Sequence, residues 1–288
     1  MKKRQIKDDR GKNDSLVQGE SGQTVNLSAP MGEVARSAEG EVSRRVAFTL
    51  AEILITIGII GVVAAMTIPT LIQKNQKRII EASIKEDYSI IQQVIRQNEA
   101  NDIDIVSEFK DGDTQFLKTW FETYFAPYMK YNRVCYNKAG CWQNRGLNKA
   151  LSGISVHIDR GTIGVGENII TVKLNNGSNL NFDVWATTNS ITNVNAWNYF
   201  GIRTNSPVLT IYIDANGDSP PNVFGKDIYV MAYAPETGLV YAGYHRTDSE
   251  INKNCSKNAT GSNAGFYCLM RIKNHGWQIL DEVWRIKT

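Results

Sequence analysis

Aromatic residues are missing from the first 47 positions of this 288-residue chain, which hold no Phe, Trp or Tyr. A stretch so polar, rich in Gly, Ser and Asn, cannot bury enough apolar surface to offset the entropy of ordering, so residues 1–45 are expected to be disordered. A charge excess is also missing. Lys and Arg total 32 against 29 Asp and Glu, a net of +3. That balance gives no bulk drive toward nucleic acid, and none is expected as a partner. Histidine is scarce, and the three present are isolated. No Gly-rich phosphate loop, nucleophile elbow or HExxH motif occurs. The chain is therefore expected not to be an enzyme. Cysteine stops at four, with no pair at the two-to-four-residue spacing of common zinc knuckles. No metal or cofactor is expected. Hydrophobic residues make up 42% of the chain, which excludes a wholly disordered one.

What is present begins with an apolar run from Ala47 to Ile72, VAFTLAEILITIGIIGVVAAMTIPTLIQK in context. Between Glu52 and Lys74 nothing is charged. About 20 residues at roughly 1.5 Å each match one membrane-spanning helix. Arg44 and Arg45 precede the run. The positive-inside rule then places the N-terminus in the cytoplasm and the large C-terminal part outside. A secretory signal peptide is the competing reading, but its apolar core runs only about 7–15 residues.

After Pro69 the pattern becomes amphipathic. Ile80, Ile84, Tyr88, Ile91 and Ile95 recur at three- and four-residue steps, with charged and amide residues between. Together the two stretches predict about 50 helical residues, bent at Pro69 and softened by Gly58 and Gly61. A second helix is predicted over Thr114–Phe125, closed by Pro127. Beyond it, six segments read as strands: Ile154–Ile158, Ile169–Leu174, Leu180–Trp185, Val208–Ile213, Ile228–Tyr233 and Leu239–Tyr244. Asn175-Asn176-Gly177-Ser178 and Pro235-Glu236-Thr237-Gly238 are predicted turns between strands. The fold class expected is α+β, with an antiparallel sheet following a long N-terminal helix.

Phe48-Thr49-Leu50-Ala51-Glu52 opens the apolar run. A carboxylate there needs a partner or a wet interface. Ala47 through Glu52, the run itself and Pro69 resemble, in order, the N-terminal segment of type IV pilins and type II secretion pseudopilins. The resemblance covers about 50 residues. It implies a pilin-like fold, with the long helix packed on the sheet. It implies a leader, residues 1–47, removed by a prepilin peptidase between Ala47 and Phe48, and methylation of the new Phe48 amine. It also implies that Glu52 pairs with the amine of a neighbouring subunit. Paired, two charges that are each unfavourable in lipid become tolerable. Residues 48–72 would be the transmembrane and assembly helix, and 73–288 the extracytoplasmic domain. Partners implied are other pilin or pseudopilin subunits, the peptidase, an inner-membrane assembly platform and the membrane. Two features depart from the pattern. Ala47 stands where these families usually carry Gly, and the leader is long, which makes Met31 an alternative start. Without residues 1–45 the chain keeps 23 basic and 22 acidic residues, a net of about +1. A competing reading is an uncleaved anchor that carries an extracytoplasmic enzyme or binding domain.

Four cysteines, Cys135, Cys141, Cys255 and Cys268, allow three pairings. The two local loops, Cys135–Cys141 and Cys255–Cys268, are the expected ones in an oxidising compartment. A zinc site assisted by His157, His245 or His275 is the alternative. Asp214, Asn216 and Asp218 alternate after a strand and suggest either a calcium loop or a polar turn. The EF-hand template fails there, because Ser219 and Gly225 occupy its Gly and Glu positions. Asn176-Gly-Ser and Asn258-Ala-Thr match a glycosylation acceptor and are read as turns. The tryptophans at 120, 142, 185, 197, 277 and 284 are mostly core candidates.

Overall fold

In the computed structural model, residues 49–109, 114–138, 140–142, 148–156, 169–185 and 196–287 are described. Residues 1–48, with the Ala47–Phe48 junction, and His157 lie outside them. Ile55–Thr288 form one unit, and the turn before Ile55 is treated by itself.

Helix α1 spans Leu50–Glu99, 50 residues, with Pro69 inside it. Its second half follows the apolar periodicity. Ile80, Ile84, Asp87, Ile91, Val94, Ile95 and Asn98 are buried, and Tyr88 is half-buried. Steps of four and three residues keep this stripe on one side of the helix. Helix α2 spans Thr114–Tyr124, and a 3₁₀ turn, Ala126–Tyr128, takes Pro127 near its start. That proline costs nothing there, since an N-terminal N–H has no helical partner.

Six strands follow in sequence order and pair antiparallel as neighbours: β1 Tyr131–Tyr136, β2 Ile169–Leu174, β3 Asn179–Trp185, β4 Val208–Asp214, β5 Ile228–Ala234 and β6 Gly238–Tyr241. Strand β1 was absent from the sequence reading. Its alternation is weak, with two exposed positions in six. The predicted strand at Ile154–Ile158 does not join the sheet over its described part. Ser155 makes only an isolated bridge to Lys149, and Ile154 is exposed. Over its described part the segment bonds the neighbouring loop at Asn148–Ala150 rather than a strand of the sheet, so its β-branched residues do not extend the ladder. The last strand is also shorter than expected, ending at Tyr241 where a turn begins.

Register explains how the sheet is covered. Tyr136, Ile170, Phe182, Ile211, Met231 and Tyr241 are successive cross-strand partners, so they share one face. Phe125 packs on Phe182 at 4.9 Å between ring centroids, and Tyr88 of α1 stacks on Tyr241 at 5.4 Å. Helices α1 and α2 therefore cover this face. Tyr212 and Val230 point to the opposite face, where Phe224 meets Tyr212 and Phe266 meets Phe224. Because both faces are covered, every residue of β4 and β5 is buried. These strands read as continuous apolar runs for that reason. Three short helices complete the chain, at Asp248–Asn254, Cys268–Asn274 and Asp281–Trp284, and the sequence reading missed all three. Each is shorter than two and a half turns, too brief for periodicity to register.

Candidate functional site

Two features of α1 carry the functional question: its head, and its exposed first half. At the head, Thr49 and Glu52 form a capping box. Glu52 Oε2 accepts from the Thr49 N–H at 2.8 Å and from the Thr49 hydroxyl at 2.9 Å. The Glu52 N–H donates to Thr49 Oγ1 at 3.2 Å. Two orphan donors of a helix start are satisfied reciprocally. The T-x-x-E signal stood in the sequence at Thr49-Leu50-Ala51-Glu52. The sequence reading weighed the carboxylate only as a wet group or an intersubunit partner, so Thr49 was missed. The cap uses one carboxylate oxygen, Oε2.

From Leu50 to Ile72 the helix is exposed almost throughout. Leu50 is 79% and Met66 72% accessible, and Ile57, Ile60 and Leu71 are each above 60%. A contiguous apolar surface of this extent marks a site of contact with another protein or a membrane. This helix is long and apolar enough to cross a membrane. Within it, Thr67 and Thr70 turn their hydroxyls back to the carbonyls of Val63 and Thr67, so both donors are satisfied within the helix. Beside Gly58 and Gly61 an added Cβ would meet nothing, so both stand on open helix surface.

The second half of α1 is held by polar as well as apolar contacts. Asp87, fully buried, accepts from Asn176 Nδ2 at 3.0 Å and from the Ser178 hydroxyl at 2.7 Å. The Asn176-Gly-Ser acceptor pattern thus lies in the β2–β3 turn and fastens that turn to α1. Burial pushes the Asp87 carboxyl up to about 7, against the pull of these two hydrogen bonds. Its Oδ2 has no hydrogen-bond partner among the described residues. Asn98 Nδ2 caps outward to Tyr124 O at 2.8 Å, joining α1 to the end of α2.

Structure pairs Cys135 with Cys141 and Cys255 with Cys268, leaving no free cysteine among the described residues. No thiolate remains to bind zinc. His245 and His275 are engaged locally: His245 Nδ1 accepts from the Arg203 N–H, and His275 Nδ1 lies 2.8 Å from Arg271 O. Trp120 and Trp142 are core residues, whereas Trp197, Trp277 and Trp284 are half-buried.

The loop at Asp214, Asn216 and Asp218 is a packed turn. Lys173 grips the Asp218 carboxylate at 2.5 Å, and Asn179 reaches it at 3.3 Å. Asn216 Nδ2 donates to Pro220 O. Asp227 accepts from the backbone N–H groups of Asn222 and Val223 at 2.7 and 2.6 Å. Burial and the neighbouring Asp227 raise Asp214 well above the ordinary carboxylate range. Gly217, at φ +63°, lies so close to Gly177 O that a Cβ would stand 2.2 Å from it. The loop is thereby wedged against the β2–β3 turn. Among the described residues, no three His, Cys, Asp or Glu side chains are placed to share a metal ion.

Comparison with protein-family models, with curated proteins and with solved structures finds no match.

Proposed function

We propose that the chain is a structural subunit, a pilin or pseudopilin, of a type IV pilus or type II secretion system. The observation that carries this reading is the division of α1. One continuous helix joins an exposed apolar half, headed by Thr49 and Glu52, to a half built into an antiparallel-sheet domain. As a membrane-inserted precursor, the subunit would rest its first half in lipid. On extraction, identical apolar helices would bury one another. One heterologous contact repeated without closure generates an open helical filament. Gly58, Gly61, Ala64 and Ala65 allow close helix approach. Glu52 Oε1 takes no part in the cap and would be the oxygen offered to a neighbouring subunit's Phe48 amine. In this reading the chain resides in a bacterial inner membrane, with its sheet domain periplasmic or extracellular, and is a substrate of processing enzymes.

The deciding experiment is co-expression with a prepilin peptidase and mass spectrometry of the mature N-terminus. A chain beginning at methylated Phe48 supports the reading. An uncut chain, or one cut elsewhere, counts against it. Glu52→Ala is expected to spare insertion and cleavage but to reduce incorporation into filaments. Unchanged incorporation would remove Glu52 from assembly.

A further inference from the structure

Where α1 leaves its apolar run, basic side chains gather. Lys74 is the first charge after Glu52, and Lys77, Arg78 and Glu81 follow on the same helical stripe. The C-terminal segment lies against this stripe. Ile279 donates its N–H to Glu81 Oε1 at 2.8 Å, and Lys77 pairs with Asp281 at 2.5 Å. Between the two runs lies a cleft of about 640 Å³. Its walls include the cations Lys74, Lys77, Arg78 and Arg285, and the carboxylates Glu81 and Asp281.

Both carboxylates are already engaged within the protein. Glu81 holds the Ile279 N–H, and Asp281 holds Lys77, with Arg285 a further 3.9 Å contact. Lys74 and Arg78 have no ion-pair partner among the described residues, and both are exposed. An excess of cationic donors therefore faces the cleft, with half-buried Trp284 in its wall. The excess sits at one particular height. Helical rise puts Lys74 through Arg78 within about 10 Å of the last residues of the apolar run, the depth of a lipid headgroup layer. Trp beside Lys and Arg at that height is the composition of a membrane interface.

We infer that this cleft binds the phosphate headgroups of anionic phospholipids, with Lys74, Arg78 and Arg285 as the contacting cations. The inference rests on the reading of Leu50–Ile72 as a membrane span. In that setting the cleft fixes the depth and rotation of the inserted subunit, and its occupants are released when the helix is extracted.

To test it, the full chain is reconstituted in phosphatidylcholine bilayers, and trace spin-labelled phosphatidylglycerol is compared with spin-labelled phosphatidylcholine for association with the protein boundary. Phosphatidylglycerol is expected to be preferred. Each cation engaged near an anionic headgroup is worth up to about fivefold. The K74Q/R78Q/R285Q variant, which keeps the Lys77–Asp281 pair, is expected to lower that preference several-fold while still inserting. High salt is expected to lower it in the parent chain as well. A preference unchanged by the triple substitution assigns selectivity to other cations, such as Arg44 and Arg45, and overturns the proposal. Displacement of the labelled lipid by soluble glycerol phosphate would show a free-anion site and overturn the lipid assignment. A chain that inserts but associates equally with both lipids sinks the headgroup inference alone. A chain that fails to fractionate with bilayers sinks the membrane span together with it.

Discussion

The two halves of α1 share one backbone geometry and almost nothing else. Over Leu50–Ile72 apolar side chains surround the helix and the domain touches none of them closely enough to bury them. Over Ile80–Asn98 apolar side chains are confined to a stripe, and that stripe is buried. Helical hydrogen bonding runs through both, less the one N–H that Pro69 lacks in the first. What differs is the solvent each half is written for. A helix apolar on all sides suits lipid or a bundle of its own kind, whereas a striped helix suits a boundary between core and water. The comparison also explains the polar residues. In the first half Thr49, Glu52, Thr67 and Thr70 turn their hydroxyls or carboxylate back to their own helix. In the second, Asp87 and Asn98 reach across to other elements.

The same substitution in each half should break the comparison if it is wrong. Ile84→Asp buries an unpaired charge in a site with no exposure. It is expected to destabilise the domain by about 5 kcal/mol, measured by urea denaturation of the full chain in detergent. Ile60→Asp is expected to leave that midpoint within about 0.5 kcal/mol of the parent. Its effect should fall on membrane insertion instead, by about 3 kcal/mol. If Ile60→Asp unfolded the domain, the first half would belong to the core.

Next in size is a pH effect confined to the second half. The folded chain holds the Asp87 proton more tightly than the unfolded chain does, because burial raises the carboxyl to about 7. Stability from this group is complete below about pH 4 and is lost as pH rises through about 7, at up to about 1.4 kcal/mol per unit. Asp227, raised by burial to about 6, acts in the same direction. Asp87→Asn should flatten the curve of melting temperature against pH between those limits. An unchanged slope would show that Asp87 does not carry the effect.

Removing the Cys255–Cys268 bridge, which closes a 13-residue separation, is expected to lower domain stability by about 3 kcal/mol. The sulfur of Cys268 also sits where a Cβ on Gly225 would stand, 2.5 Å away, so the bridge packs directly on the loop before β5. Denaturation of the doubly substituted Cys255→Ser, Cys268→Ser chain measures this, and a loss below about 0.5 kcal/mol would deny the bridge a role. Smallest is the cap at the head of the first half. Thr49→Ala should cost the helix start about 1 kcal/mol. Amide hydrogen exchange should detect the change over the first turn and nowhere in the sheet. Protection lost in β4 or β5 would mean that the two halves are energetically joined.

Several particulars show what was legible in advance. Helix α1 was readable over its whole length, because one signal was an unbroken charge gap and the other a strict three-four step. Strands β2 to β5 were readable from their β-branched content. Strand β1 was not, since two of its six positions are exposed and only one is buried, and Ile154–Ile158 misled because its described part forms an isolated bridge outside the sheet. Glu52 stood out as a charge at the edge of an apolar run, yet its tie to Thr49 was overlooked although the T-x-x-E spacing was in view. The sequence reading set Tyr88 on the apolar stripe and passed over Asp87, which the structure buries in phase with Ile80, Ile84 and Ile91. Its partners, Asn176 and Ser178, lie about 90 residues away and no local pattern connects them. The basic cleft joins Lys74 and Arg78 to Arg285 across more than 200 residues and was invisible for the same reason.

By itself the sequence determined the elements whose cause is local: a lipid-length apolar helix, its amphipathic continuation, the turns at Asn175–Ser178 and Pro235–Gly238, and the α+β class. Periodicity and turn chemistry act over a few residues, so they are written where they operate. Tertiary structure alone decided which strand edge was occupied, that Asp218 answers Lys173, that Asp87 is held by a distant turn, and that four cations meet at the end of the apolar run. Those outcomes depend on side chains brought together after the sheet has chosen its register and the C-terminal segment has settled against α1.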